Sequence, residues 1–536
     1  LLDILMHLLN ITNLDYIMMT ILLGIIAVIS YYFRRKNPSS GDYLIMQNHR
    51  INTLMVCLSM GGFGLIEFLL LSSYGAYAGI PALCLFVPCF LVASYFLGHK
   101  LAESSSLNSI TSSVTTNIHQ RVMLVCYALF MLLSASIAIC VMVWILKNLL
   151  GWEFGNSTLS LLGVVLICLL IGGVISVLYN QILVLILSSL IVAVVVIIAY
   201  HGIGNGNLIA NLHNVATENK LSANHFTTLQ LNYLMLPQLW LVLVSAMLVV
   251  LINPLNRIKY VKSSKEAKPK LALSKLIQLL VLCLFVLTGI FALATPGSSS
   301  LSDGKRLVTQ QTRLEDGSIG FVVRAVDSDT PSLARGIIPK QMSNSNDMEP
   351  IDSAQNSFDY ISAAMVMVKH SLPAAFVSLF LVILLFYKSV TESLAFVNIV
   401  TIQSFYVPWF NKTGDDLENL WAARVFLFAY TAVAICIGLV FYKFFDLYYL
   451  FSLLVLLGLP LILNLLGLAK HFIVNIVAYV VIIASLLALN ITNVPCLLPL
   501  IKFNDVFSYL NLATLSITGY YVLIHLIIKL IGRDSL

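Results

Sequence analysis

The stretch LFYKSVTESLAF, Leu385 to Phe396, places a lysine and a glutamate four residues apart inside about thirty otherwise apolar residues. Four residues is roughly one helical turn, so Lys388 and Glu392 share a helix face, with Ser389 beside them. Counted from Leu372, Lys388 lies about 24 Å along a helix at 1.5 Å per residue, near the middle of a lipid-spanning segment. An isolated charge there costs from about 2.5 to above ~10 kcal/mol. Such residues pair with each other, face water or become neutral, and in each case they can hold a cation or pass a proton.

A second group of candidates lies near the N-terminus. Gly61, Gly62, Phe63 and Gly64 form GGFG in the middle of an apolar run. Each glycine weakens a helix by about 1 kcal/mol relative to alanine. The cluster reads either as a helix break that turns backbone carbonyls toward an ion or solute, or as close helix–helix packing through small residues. Glu67 follows three residues later, and reads either as a carboxyl facing a water-filled vestibule or as a ligand for solute or cation. Asn253 precedes Pro254 at the end of another apolar run, with the same two readings as GGFG. Tyr74 and Trp240 are candidates for lining a solute path, as are Tyr77 and Tyr260; aromatics at span ends more often anchor in the interface.

Other chemistry is excluded by what the sequence lacks. The ten histidines form no HExxH and no close pair, so no metal site is expected. The nine cysteines fall mostly in apolar runs without a CxxC, which suits small packing residues. There is no nucleotide-binding loop and no dinucleotide fingerprint, so neither a cofactor nor an ATP-driven pump is expected, and the chain does not read as an enzyme.

The elements that must carry these residues are membrane helices. Of the 536 residues, 59% are hydrophobic and only 10% charged, against about 25% charged in soluble domains. The fold class is an all-α polytopic membrane protein. Thirteen spans are expected, near 15–33, 51–78, 81–99, 122–148, 157–178, 182–201, 233–253, 271–295, 372–403, 422–443, 446–468, 472–490 and 510–531. The net charge of +6 sits largely in loops and orients the chain, so no nucleic-acid partner is inferred. Arg34–Lys36 and the basic loop at 256–270 fall on one side if every span crosses once. That side is cytoplasmic, with the N-terminus outside, the C-terminus inside and the first span uncleaved, in a plasma or inner membrane. The lysines of the basic loop set topology, with binding to lipid headgroups as the alternative. The polar loop 297–370 then lies outside. A hairpin is expected in it around Asp316–Gly317, and the loop is either a tolerated insertion or a surface for a protein partner.

Five stretches resemble the sodium:solute symporter family, in family order and over most of residues 42–468. Residues 42–80, with GGFG in their middle, resemble its first core helix. GGVISVLYNQ at 172–181 is similar to the Gly-Gly turn between its fourth and fifth. NPLNRIKYVKSSKEAKPKLALSKLIQLLVLCLFVLTGIFAL at 253–293 is similar to its basic loop and the following helix. Residues 372–398 and 453–468 resemble the eighth and tenth. The resemblance implies two inverted five-helix repeats, 51–201 and 233–468, preceded by an extra helix in 1–50 and a cytoplasmic link. The repeats are joined by an external loop, 202–232, and followed by two helices in 469–536. It also implies a solute site at mid-membrane between broken first and sixth core helices, and alternating access.

Two positions depart from the family. Many members carry a Ser–Ser or Ser–Thr pair in the eighth core helix as sodium ligands; here Lys388 and Ser389 stand there. Many carry an aspartate after the Gly-Gly turn for a second cation; here Gln181 stands there, beside Asn180. Three readings of Lys388 stand: a fixed cation in place of sodium, a proton carrier, or a lysine lining an aqueous vestibule. The function expected is secondary transport of a small polar organic solute, coupled to sodium, to protons or to neither. The alternative is a transport-inactive, symporter-like subunit or sensor that binds a protein partner.

Overall fold

The computed structural model describes residues 21, 23–32, 58, 63–103, 118–150, 154–202, 208–218, 226–228, 235–252, 267–294, 305–313, 319–327, 376–411, 415–444, 447–465, 474–475, 477–482 and 506–531. Its helices are α1 Leu65–Ala78, α2 Ile80–Glu103, α3 Ile118–Leu150, α4 Phe154–Gly202, α5 Leu208–Glu218, α6 Met235–Ile252, α7 Ala267–Ala294, α8 Phe376–Thr401, α9 Asp416–Phe444, α10 Leu447–Leu465 and α11 Val506–Ile531. A short apolar helix, Leu23–Tyr32, precedes them. Helices suit these apolar runs because in lipid every backbone N–H and C=O must find its partner inside the segment. Five of them have the length and apolarity to cross a membrane, in α3, the second half of α4, α7, α8 and α9. The chain is an integral membrane protein of the all-α polytopic class.

The helices sort into inner and outer ones. The α8 span is wholly buried, whereas most of α9 and of the second half of α4 is not. Ile186, Leu190, Val194 and Ile197 form an exposed stripe on α4, and Leu417, Trp421, Val425 and Phe428 form another on α9. Both stripes follow the helical repeat, as a lipid-facing side does. Around α8, helix α3 packs along its length, and α4 packs against it too. Helix α1 lies along α7, and α2 along α6.

Several boundaries differ from those expected. The break between the spans at 157–178 and 182–201 falls at Gly173, not after Leu178. Gly173 has φ +61°, a conformation that side chains rarely adopt, and this lets two apolar halves meet at an angle without a polar turn. Gln181 therefore lies well inside the second half of α4. The described part of the sixth core helix, α6, is unbroken over 18 residues. Its sequence has no glycine, and Asn253 lies outside the described residues. The loop 202–232 contains helix α5, which the apolar spacing of Leu208, Leu212 and Val215 explains. It is tied down where Asn211 Nδ2 donates to the carbonyl of Ala294 at 3.1 Å. At the end of α8, Ile402–Tyr406 form a π-helical turn leading into Val407–Trp409.

The hairpin expected around Asp316–Gly317 is present. Strand β1, Lys305–Arg313, pairs antiparallel with β2, Ile319–Asp327, in the register Lys305↔Asp327 to Arg313↔Ile319.

Candidate functional site

The site is built where α1 begins against the middle of α8. Phe63 and Gly64 are non-helical and helix α1 starts at Leu65. Gly61 and Gly62 lie outside the described residues. A helix start leaves backbone N–H groups without partners. Here two of them are satisfied by candidate residues. Leu65 N–H donates to Ser389 Oγ on α8 at 3.0 Å, and Gly64 N–H donates to Glu67 Oε2 at 3.0 Å. Gly64 is extended, a conformation open to any residue, so its requirement is space. A Cβ there would run into Ser389 Oγ and would stand 2.9 Å from Glu67 Oε2.

Glu67 is 2% exposed, so the vestibule reading does not hold. It caps the N-terminus of α1, where the helix dipole favours an acid. Its Oε1 has no hydrogen-bond partner among the described residues.

One residue from Ser389, Lys388 Nζ sits 2.9 Å from Glu392 Oε2, with both side chains buried. A buried ion pair must be desolvated at both ends, so it persists only with good geometry and further polar neighbours. Neighbours come from three other helices. On α3, Tyr127 lies close enough to feel the charge of Glu392, and its ring meets Phe396 edge-on at 4.6 Å. On α7, Lys275 lies close enough to feel both Lys388 and Glu392, while its Nζ donates to Gln278 Oε1 at 2.8 Å. On α4, Asn180 Nδ2 donates to the hydroxyl of Tyr387 at 2.9 Å and reaches Ser30 Oγ of the N-terminal helix at 3.3 Å. Gln181, next to Asn180, is buried, and both polar atoms of its amide lack a partner among the described residues.

Lys388, Ser389, Glu392, Gly64 and Glu67 thus come together at one level, with Phe63 beside them. Phe63 and Phe68 both meet Phe285 of α7 edge-on, each at a centroid distance of 4.9 Å. Glu67 does not join the ion pair; its link to α8 runs through the Gly64–Leu65 backbone to Ser389. Tyr74 and Trp240 are half-buried farther away. Tyr74 lies near Cys89 of α2, whose Sγ approaches the carbonyl of Leu239 at 3.9 Å, beside Trp240. Lys275, Ser30 and Tyr387 are not among the candidates that the sequence offers, and Asn180 enters there only as the neighbour of Gln181. Lys275 carried a signal: it is a lysine inside the span 271–295, three residues from Gln278 and so on the same helix face.

No protein-family model matches this chain, and no curated protein matches it in sequence. Among solved structures the chain is similar to the substrate-bound, outward-open state of a Na+-coupled sialic acid symporter. The TM-score is 0.62 at 13% identity, over 96% of this chain and 97% of that one. A second similar structure is MhsT in complex with L-phenylalanine, with a TM-score of 0.41 at 13% identity, over 90% of this chain and 98% of that one. At this identity the first likeness defines the fold. The helices follow the course of a membrane symporter over nearly the full length of both chains.

Proposed function

We propose that this chain is a secondary transporter for a small polar organic solute, related to the sodium:solute symporters, in which the Lys388 ammonium takes the place of the sodium ion. The observation that carries this reading is the pairing at the start of α1. Ser389 still offers its hydroxyl to the α1 backbone, while the neighbouring hydroxyl position is filled by a lysine held at 2.9 Å by Glu392. An ammonium has three donors and can satisfy oxygen atoms that would otherwise surround a bound cation. Its charge is covalently attached, so a sodium gradient has nothing to load there.

The repeat boundaries 51–201 and 233–468 are supported by the packing. Exchanging each core helix with the one five places on turns the α1–α7 contact into the α6–α2 contact. The same exchange leaves α3–α8 as it is. Inverted repeats require this pattern. The solute would lie beside the α1 start, between it and α6, with the loop 297–370 on the outside.

Uptake into proteoliposomes tests the function. A panel of radiolabelled amino acids, carboxylates and sugars is offered under a sodium gradient and, separately, under a proton gradient. Uptake that does not respond to sodium in the wild type, and gains sodium dependence in Lys388→Ser, is expected. Steep sodium dependence in the wild type, unchanged in Lys388→Ala, refutes the built-in cation. No uptake of any solute under either gradient favours the transport-inactive reading.

A further inference from the structure

A short helix outside the proposed repeats reaches a buried bend. Leu23–Tyr32 turns Leu23, Ile26 and Ser30 inward and leaves Ile25, Val28 and Tyr32 exposed, as a helix docked on one side does. Leu23 and Ile26 are apolar. Ser30 is polar and wholly buried, and its contacts fall on both sides of the bend in α4. Before the bend, Gly172 lies so close that a Cβ on it would stand 3.1 Å from the Ser30 Cα. After the bend, about two turns along, Asn180 Nδ2 donates to Ser30 Oγ at 3.3 Å.

The bonds form one consistent chain. The same Asn180 amino group donates to the Tyr387 hydroxyl at 2.9 Å, so both of its hydrogens are used. Ser30 directs its own hydrogen to the carbonyl of Ile26, at 3.0 Å, which leaves its lone pairs for Asn180. Tyr387 is the residue before Lys388, so the far end of the chain reaches the segment that carries the buried ion pair. At the bend, Gly173 has φ +61°, and Ser176 Oγ donates to its carbonyl at 2.9 Å. A glycine between two helical halves makes a permissive joint, and hinges are places where a few residues absorb a large change in backbone angle. Ser176 braces this joint from within α4, and Ser30 braces it from another helix.

We propose that the N-terminal helix is a strap across the α4 bend, latched by Ser30, and that the second half of α4 swings away from α8 only when the latch opens. Ser30 is a positioning residue: it acts through Asn180 on Tyr387 of α8. With Ser30 in place, the Asn180 amide is held from two sides and the joint keeps one angle. Without its hydroxyl, the amide is free to turn, and the joint loses its brace from outside α4.

The test needs neither solute nor gradient. Spin labels are carried on ketone-bearing residues introduced at position 129 of α3, which packs along α8, and at position 190 in the second half of α4. Leu129 and Leu190 are both exposed. Pulsed electron–electron distance measurements on the full chain in lipid nanodiscs report the separation of α4 from the α3–α8 pair. In Ser30→Ala, the loss of one buried hydrogen bond is expected to raise the share of a second, longer distance by about 5-fold. Ser30→Leu, which also adds bulk beside Gly172, is expected to raise it further. Ser30→Thr keeps the hydroxyl and is expected to keep the wild-type distribution. A serine that only packs would lower the melting temperature in these variants without moving the distances. A wild-type distribution in Ser30→Ala therefore overturns the proposal. So does a distribution in Ser30→Thr that matches Ser30→Ala, because the hydroxyl would then hold nothing. If Ser30→Leu does not fold, the comparison of alanine with threonine still decides. Uptake plays no part in this readout, so the strap and the transport reading can fail separately.

Discussion

Replacing Lys388 with methionine keeps its volume and removes its charge, leaving Glu392 buried with its 2.9 Å partner gone. The carboxylate then takes a proton. Protonating an ordinary glutamate at pH 7 costs about 2.7 pH units at 1.36 kcal/mol each, or about 3.7 kcal/mol. The converse variant, Glu392→Gln, leaves a lysine to be neutralised, at about 4.6 kcal/mol by the same arithmetic. Both figures fall within the roughly 3–5 kcal/mol seen when one partner of a buried pair is removed. At about 1.4 kcal/mol per decade, the folded-to-unfolded ratio falls several hundred-fold or more. The signs with pH are opposite. Lys388→Met regains stability as pH is lowered from 7, because its proton becomes cheaper to acquire. Glu392→Gln regains stability as pH is raised. The double variant, with neither charge, is expected to lie well above the sum of the two losses, with a coupling of about 3 kcal/mol. Denaturant unfolding of the purified protein in mixed micelles, at several pH values, measures all four corners of the cycle. If both single variants cost less than about 1 kcal/mol and add without coupling, the two side chains are solvated and the reasoning fails.

Gly64→Ala is expected to destabilise by about 1–3 kcal/mol, as overpacking does, and Ser389→Gly in the same chain to recover part of the loss; thermal unfolding reads both. Ser389→Ala strands the Leu65 N–H and is expected to cost about 1–3 kcal/mol, visible as faster hydrogen exchange at the start of α1. Gly173→Ala forces a side chain into a left-handed conformation and is expected to cost about 1–2 kcal/mol by the same unfolding assay. For topology, single cysteines in Thr330→Cys and Lys265→Cys are expected to react from outside and from inside respectively. An impermeant reagent that labels position 265 and spares 330 reverses the orientation.

How much of this was legible in the sequence depended on contrast. Lys388 and Glu392 stand out because nothing else in their run is charged, and helical spacing alone puts them on one face. The α1 break was legible for a similar reason, since glycines crowd where a span should be regular. Lys275 had less contrast. It lies five residues into a span that follows a lysine-rich loop, where a basic residue reads as an interfacial anchor. Its electrostatic tie to Lys388 and Glu392 comes from the packing of separate helices and leaves no mark in the local sequence. The break at Gly173 carried a Gly-Gly signal but no stop, because both flanks are apolar. Glu67 was visible as an acid inside an apolar span, but not as a buried one. Its role as a cap depended on where α1 starts, a boundary that periodicity does not fix to one residue.

The two functional classes considered from the sequence differ, physically, at one contact. A sodium ion that bridges two helices can leave, and its departure lets them separate. Lys388 cannot leave, because it is part of α8. If the pair with Glu392 is permanent, the contact between α8 and the start of α1, made through Leu65 and Ser389, has no release step, and the chain is held in one state like an inactive subunit. Transport with a built-in cation therefore requires that the pair be broken once in each cycle. Lys388→Ser, which restores a hydroxyl beside Ser389, thus separates the classes: a transporter gains sodium-dependent uptake, and a chain that never moved gains none.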